Sequence, residues 1–182
     1  FDSFGLALTL YNTITLEETE SGLEFTGCPA EYANEDNLIF VSYKAAMDYM
    51  GIPVKGLKVD ISSEIPISRG LGSSAALLTA GAMGANALHG SPLSLQQILE
   101  VTNPIEGHPD NLAPAIFGGM TASMSLIPGT YTVQETVAPI GYNLPADSWK
   151  FTFEEGKLNV TEVQGEADFS FIDDMLIMEL TN

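Results

Sequence analysis

The stretch that decides the fold is Pro66-Ile-Ser-Arg-Gly-Leu-Gly-Ser-Ser-Ala-Ala76. It follows an alternating apolar and polar segment, Leu57–Ser62, and precedes an alanine-rich segment that favours a helix from about Ser74 to Leu88. Glycine permits backbone angles and close approaches that a Cβ atom prevents, so several N–H groups can point at one anion. A strand, a glycine-rich turn and a helix N-terminus therefore predict a phosphate site, although a plain tight connection has the same pattern.

Two serines after the second glycine add chemistry to this turn. Ser73 and Ser74 carry hydroxyl groups that can cap the helix, or contact a phosphate or a hydrated Mg²⁺ ion, which takes few protein ligands beside phosphate oxygens. The turn matches neither the Walker A loop nor the dinucleotide fingerprint. The double serine favours phosphate binding over a purely structural turn.

Composition limits the partners that the chain can have. The 182 residues are 45% hydrophobic, enough for a core, and the apolar runs are too short to span a bilayer, which predicts a soluble protein. The net charge of −18 argues against nucleic acid and anionic membranes as partners. Arg69, backbone amides and Mg²⁺ would then have to neutralise a phosphate chain. Phe1 is not an initiator, so we expect that residues preceded it.

Cys28 is the single cysteine of the chain, which excludes an internal disulfide and a site built from several cysteines. We expect it to pack as a small apolar side chain in a reducing compartment. His89 lies at the end of the helix that follows the glycine-rich turn, where an imidazole can bond to terminal carbonyl groups. We interpret His89 as structural.

The pattern before and after the turn predicts further elements. These are strands over Gly5–Leu16 (or a bent pair) and Leu23–Thr26, a polar turn over Glu17–Ser21, a helix capped by Asn34 or Asp36 and stopped by Gly51 and Pro53, and a helix from the capping box Ser94 and Gln97 to about Thr102, ended by Asn103-Pro104.

The densest polar cluster is Glu106-Gly-His-Pro-Asp-Asn111. Pro109, Asp110 and Asn111 are turn residues, so the cluster is compatible with a simple turn. The same span also supplies a carboxylate suited to a metal ion, an imidazole and two further polar groups. Such a set beside a phosphate loop suits phosphoryl transfer, in which positioning and charge neutralisation carry most of the catalysis.

Several stretches resemble, in chain order, the homoserine kinases of the GHMP kinase family. They are Phe1–Gly5, Asn37–Ile39, Ile65-Pro66 with Arg69–Ala76, Glu106–Asn111 and Ala113–Gly119. The resemblance runs to about Ser125 and implies ATP-dependent phosphorylation of the L-homoserine hydroxyl to O-phospho-L-homoserine, in threonine biosynthesis in the cytoplasm. It implies an α+β fold in which helices cover one side of a mixed sheet, similar to the second domain of ribosomal protein S5, and it is compatible with a homodimer.

The resemblance also implies roles for individual residues. ATP would be held by Arg69, Gly70, Leu71, Gly72, Ser73, Ser74 and Ala75, with Asn37 near the sugar or base. Ser74 and Glu106 are the candidate catalytic residues and Mg²⁺ ligands, and Asp2, His108 and Asn111 are candidates for binding homoserine. Asp110 is a candidate general base, but we favour its reading as a turn residue. The start of the family's first motif and its second half, with an arginine for the substrate carboxylate, are not recognisable.

The composition changes from about Leu126. The segments Pro128–Tyr142 and Trp149–Phe153 predict short strands, and resemble the latter part of a B-type repeat of Gram-positive surface adhesins. In that family a glutamate, here Glu135, promotes an isopeptide bond, for which Asn182 or Asp173 would be the acceptor. No first strand with the required lysine is visible, so we do not expect the bond.

Two domains are therefore expected: a kinase N-terminal, ATP-binding domain over residues 1–125, and a β-rich segment over 126–182 that is either part of an immunoglobulin-like repeat or a set of strands added to the first domain. The leading functional hypothesis is an enzyme of the homoserine kinase type, not necessarily complete as a catalyst. The alternative is a non-enzymatic surface or adhesion module.

Overall fold

The structure is a computed structural model that describes residues 3–125, 127–134, 148–154, 157–164, 168–172 and 175–180. Contacts divide the chain into two compact units, Leu6–Gly118 and a second unit of Phe1–Gly5 with Gly119–Asn182. The predicted boundary between residues 125 and 126 stays a prediction, since a division by contacts does not test where two inherited segments meet.

The helices of the described chain all lie in the Leu6–Gly118 unit. They are α1 (Leu38–Tyr49), α2 (Ser73–Leu88), α3 (Leu95–Glu106) and α4 (Leu112–Phe117). The unit also has a mixed three-stranded sheet in the order β2, β4, β3, where the strands are β2 (Asn12–Thr19), β3 (Leu23–Thr26) and β4 (Gly56–Ser63). Together these elements confirm the predicted α+β class with a mixed sheet.

One face of the sheet is covered, as the alternation of β4 shows. Leu57, Val59 and Ile61 are buried, whereas Lys58 and Asp60 between them are exposed. The helices supply most of the remaining core of this unit. Its fully buried large side chains on the helices are Ile39, Tyr43, Met47, Leu78, Ile98, Leu99 and Leu112. The alternation of buried and exposed residues thus gives β4 the single apolar face that a sheet covered on one side requires.

One strand prediction was confirmed, and the turn predicted beside it was wrong. The polar turn expected over Glu17–Ser21 is mostly strand, because β2 runs on to Thr19 beside β4, where Glu17 lies opposite Lys58. The segment Leu23–Thr26 is a strand as predicted, and it pairs parallel to β4. A charged residue on the solvent face of a one-sided sheet is compatible with a strand, so the polar composition of Glu17–Thr19 did not mark a turn.

The caps at the starts of α1 and α2 differ from the prediction, whereas the cap of α3 agrees with it. Helix α1 is capped by Asn37, whose Oδ1 accepts from the Ile39 N–H, and not by Asn34 or Asp36. Helix α2 has Gly72 as its N-cap, with no side-chain cap from either serine. The capping box of Ser94 and Gln97 is confirmed.

Helix α3 does not end at Asn103-Pro104 as expected. Pro104 lies inside the helix, which continues to Glu106 and stops at Gly107, where φ is +89°. A proline in the last turn removes only one helical hydrogen bond, and glycine is well suited to the left-handed angle that ends the helix. The extra turn places Glu106 on a helix and not in a loop.

The second unit is made of strands in its described part. They are β1 (Ser3–Leu6), β5 (Met120–Ser125), β6 (Gly129–Gln134), β7 (Ser148–Glu154), β8 (Lys157–Gln164), β9 (Asp168–Ile172) and β10 (Met175–Leu180). One sheet has the order β1, β5, β10, β9, and the other has the order β6, β7, β8. The strands predicted within Pro128–Tyr142 and over Trp149–Phe153 are confirmed where the chain is described. Strand β10 pairs antiparallel with β5, so the two strands lie side by side in the first of these sheets.

Candidate nucleotide site

A cleft of about 530 Å³ opens at the glycine-rich turn, between the end of β4 and the start of α2. Gly70 and Gly72 line it, and both have φ near +70°. Because no side chain caps α2, the N–H groups of its first turn are left for another acceptor. The helix dipole favours negative charge at the same place. The geometry suits a phosphate group.

One short hydrogen bond at the cleft links the glycine-rich turn to the polar cluster Glu106–Asn111. Ser74 Oγ donates to Glu106 Oε2 at 2.6 Å, and both residues line the cleft. Ser74 is in the first turn of α2, whereas Glu106 is in the last turn of α3. The contact therefore exists because α3 continues past Pro104.

The turn also packs closely against Asn111. A Cβ built on Gly72 would lie 3.3 Å from both Cβ and Oδ1 of Asn111, so a larger residue at 72 would crowd this side chain. Asn111 lines the cleft and its side chain makes no cap to α4. The Asn111 carboxamide thus lies beside Gly72, at the mouth of the glycine-rich turn.

The cleft has little positive charge of its own. Arg69 is the only basic side chain among the described residues that line it, and it is exposed, whereas Asp36 and Glu106 are acidic. A polyphosphate here would depend on backbone amides, Arg69 and a divalent cation. In the described part of the chain, no group of three or more His, Cys, Asp or Glu residues is arranged to hold a metal ion. A magnesium ion beside Ser74 and Glu106 would therefore take most of its ligands from phosphate and water, as Mg²⁺ commonly does.

Asn37 lines the cleft, but its carboxamide is already engaged. Its Oδ1 accepts from the Ile39 N–H at 3.0 Å, and its Nδ2 donates to the Tyr32 carbonyl at 2.8 Å. The residue is buried. The predicted role of Asn37 near the sugar or base of a nucleotide stays a prediction. In the structure, Asn37 is the N-cap of α1.

The remaining predicted residues lie in different surroundings. Leu71 belongs to the glycine-rich turn and Ala75 to α2, but neither is among the residues that line the cleft. His108 is not among them either. His108 Nδ1 lies 2.5 Å from Asp110 Oδ1, and that oxygen also accepts from the Asn111 N–H at 2.9 Å. These contacts favour the reading of Asp110 as a turn residue. Asp2, Glu135, Asp173 and Asn182 lie outside the described residues.

Sequence reasoning missed part of the cleft wall. Cys28, Tyr32 and Ile67 line it, although nothing in their spacing pointed to a ligand. Cys28 is half-buried, and burial raises the pKa of its thiol above the ordinary value. The thiol therefore stays protonated at neutral pH, in agreement with the expected apolar character of this side chain.

Comparison with known proteins defines the class of this fold and site. Residues 37–119 match the family model of the GHMP kinases N terminal domain. This part of the chain resembles a GHMP kinase N-terminal domain, and it contains the glycine-rich turn, Glu106 and Asn111. Residues 114–167 match the model named SpaA, a prealbumin-like fold domain.

The proteins similar to this chain include homoserine kinases and a mevalonate kinase. A homoserine kinase from Clostridium botulinum (strain 657) is 49% identical over 125 residues, which are 69% of this chain and 42% of the relative. A solved structure of a homoserine kinase from Listeria monocytogenes has a TM-score of 0.57 and 35% identity, covering 68% of this chain and 44% of that one. The mevalonate kinase of Methanococcus jannaschii, at 22% identity, has a TM-score of 0.54 over 67% of this chain and 46% of its own, and shows the fold alone.

The chain spans less than half the length of these relatives. None of the helices in the described residues is long and apolar enough to cross a membrane.

Proposed function

We propose that the first 125 residues are the ATP-binding part of a kinase that phosphorylates the hydroxyl of L-homoserine, in the cytoplasm and in threonine biosynthesis. The observation that carries this proposal is the contact of Ser74 with Glu106 at the mouth of the glycine-rich turn. It brings together the two side chains that a nucleotide-bound magnesium ion would need. The identity of 49% to a homoserine kinase supports the choice of substrate.

The phosphates would lie on the backbone amides of Gly70 to Ala75, at the N-terminus of α2. Arg69 would add the positive charge that the cleft otherwise lacks. A bound magnesium ion would neutralise the charge that develops on the phosphates. Ser74 and Glu106 would hold that ion, and the hydrogen bond between them keeps both oxygens at one point of the cleft before it arrives.

The amino-acid substrate would lie on the side of the cleft formed by the cluster after α3. Asn111 is the candidate that the geometry favours, since its side chain already faces Gly72. His108 and Asp2 stay candidates for the same pocket. Because Oδ1 of Asp110 bonds to His108 and to the Asn111 N–H within the same turn, we treat Asp110 as a turn residue and ascribe catalysis to positioning and charge neutralisation.

Thermal unfolding with and without Mg·ATP tests nucleotide binding. At a hundredfold excess over its dissociation constant, the nucleotide should raise the free energy of unfolding by about 2.7 kcal/mol. Gly72→Asp should abolish the increase, because the new side chain enters a left-handed position against Asn111 and brings a negative charge to the phosphates.

Gly51→Asp is the matched control. Gly51 also has positive φ, at +70°, but it is not among the residues lining the cleft, and a Cβ built on it would meet no atom within 4 Å. It should carry the same backbone strain and keep the full response to Mg·ATP. An unchanged unfolding temperature of the parent chain in Mg·ATP would refute nucleotide binding.

The second candidate function is a non-enzymatic adhesion or scaffolding module. It is favoured by the match of residues 114–167 to a prealbumin-like domain and by the sheet β6, β7, β8. This candidate needs no nucleotide, so the same titration distinguishes the two. The kinase is preferred because its match covers more of the chain.

A further inference from the structure

Asn12, the first residue of β2, makes an unusual set of contacts with the end of β4. Its Oδ1 accepts three hydrogen bonds: from Ser63 Oγ at 2.8 Å, from the Glu64 N–H at 3.1 Å and from the Ile65 N–H at 3.1 Å. Asn12 and Ser63 are also paired across the two strands. One side-chain oxygen thus binds three consecutive residues at the point where β4 ends.

The orientation of the Asn12 carboxamide follows from its partners. Two of the three are backbone N–H groups, which can only donate, so the oxygen must face them. The Nδ2 group is buried and has no hydrogen-bond partner among the described residues. A buried donor without a partner lowers stability, which means that the side chain is a poor choice for stability alone. Its effect is local, on residues 63–65.

Those three residues lead directly into the glycine-rich turn. Pro66, whose φ is fixed by its ring, comes next, and Ser63, Ile67 and Ser68 all line the cleft. Ser68 has φ of +56°, which is costly for a residue with a Cβ and persists only where the surrounding structure imposes it. The start of the turn therefore needs an anchor, and Asn12 is in contact with it.

We propose that Asn12 is a positioning residue: its carboxamide oxygen fixes residues 63–65 and so holds the glycine-rich turn in its binding shape before a ligand arrives. A site that is already ordered loses less conformational entropy on binding. What the turn binds rests on the proposed function, whereas the anchoring itself does not.

Amide hydrogen exchange of the chain without nucleotide tests the anchoring directly. Asn12→Ala should speed exchange about tenfold at the Ile65 amide, and less at the Glu64 amide, because the Glu64 N–H also has the Tyr11 carbonyl as an acceptor at 3.3 Å. It should also raise exchange at the amides of residues 67–72. Asn12→Asp should keep the protection, because one carboxylate oxygen can accept the same three bonds, although the second oxygen takes the buried place of Nδ2 and should lower stability.

Asn86→Ala is the matched control, since Asn86 is a buried asparagine whose side chain also holds a loop. Its Oδ1 accepts from the Leu93 N–H and its Nδ2 donates to the Leu93 carbonyl, at the far end of α2. This variant should lose stability without changing exchange at residues 63–72. In the same proteins, the dissociation constant of Mg·ATP should rise about tenfold for Asn12→Ala and less than about twofold for Asn86→Ala.

The results separate the two proposals. Unchanged exchange at residues 63–72 in Asn12→Ala, or equal acceleration in Asn86→Ala, overturns the role of Asn12. If Asn12→Ala does not fold, Asn12→Asp decides, because loss of protection there would show that the acceptor is not what anchors the turn. If the parent chain does not bind Mg·ATP, the proposed function fails while exchange still decides the anchoring.

Discussion

Two buried threonines on neighbouring helices differ in whether the hydroxyl group has a hydrogen-bond partner. Thr102, in α3, is fully buried and its Oγ1 donates to the Ile98 carbonyl at 2.9 Å. Thr79, in α2, is also buried, but its Oγ1 has no partner among the described residues. The same side chain is therefore satisfied in one helix and unsatisfied in the next.

Replacement of each by valine, which has the same shape, should give opposite results. Thr79→Val should leave stability unchanged or raise it by up to about 1 kcal/mol, since it removes a buried polar group that bonds to nothing. Thr102→Val should lower it by about 1 kcal/mol through loss of its hydrogen bond. Urea unfolding followed by circular dichroism at 222 nm measures both, because the described helices all belong to the unit Leu6–Gly118. Equal changes in the two variants would contradict the assignment.

At this scale the sequence predicted residue types better than contacts. Ser74 and Glu106 were both expected at a magnesium ion, and the structure places them 2.6 Å apart. The anchoring by Asn12 was not predicted, because it joins residues more than fifty positions apart and its partners are mostly backbone groups. Nothing in the spacing of a lone asparagine at a strand end indicates such a contact.

Between elements, the crossing of α1 and α2 depends on glycine. A Cβ at Gly81 would lie 2.1 Å from the Ile39 carbonyl oxygen and 2.2 Å from Ser42 Oγ, so the helices approach to backbone contact there. A Cβ at Gly84, one turn later, would lie 2.2 Å from Cδ1 at the end of the Leu16 side chain. A backbone atom cannot move without moving its helix, whereas a leucine methyl group can rotate away.

The two glycines should therefore respond differently to alanine. Gly81→Ala should destabilise the unit by about 1–3 kcal/mol, because the overpacking outweighs the gain in helix propensity. Gly84→Ala should stay within about 1 kcal/mol of the parent, since propensity and crowding offset each other. Urea unfolding of both variants gives the comparison, and a Gly81→Ala chain as stable as the parent would rule out the close crossing.

Elements with a strong local signal were predicted well, and those that depend on neighbours were not. The Ser94 and Gln97 capping box gave the start of α3, because all its bonds lie within four residues. The end of α3 was wrong, since the penalty of Pro104 in a last turn is small enough for the helix to continue. The parallel pairing of β3 could not be derived from its sequence, which would suit either direction.

At the scale of the whole molecule, the kinase-like segment is only part of what its relatives contain. The match to the Clostridium botulinum kinase covers 42% of that protein. After Arg69 the chain has no arginine, and its further basic residues are Lys150 and Lys157. The chain therefore lacks a second arginine, such as the one that the family resemblance implies for the substrate carboxylate.

For this reason we expect the chain to bind nucleotide without phosphorylating L-homoserine. The 182-residue chain should respond to Mg·ATP, but L-homoserine should not raise the rate of ADP release above the rate without it, because the amino-acid carboxylate lacks its partner. A coupled assay of ADP release with and without L-homoserine measures this. Release that rises with homoserine concentration and saturates would show that the residues present complete the substrate pocket.

The pairing of β5 with β10 has a consequence for how the chain can be divided. Met120–Ser125 and Met175–Leu180 are distant in the sequence, yet six residue pairs join them in one antiparallel ladder. A nick in the chain between these strands would leave two fragments that still complement each other, as a strand donated by one polypeptide completes the sheet of another.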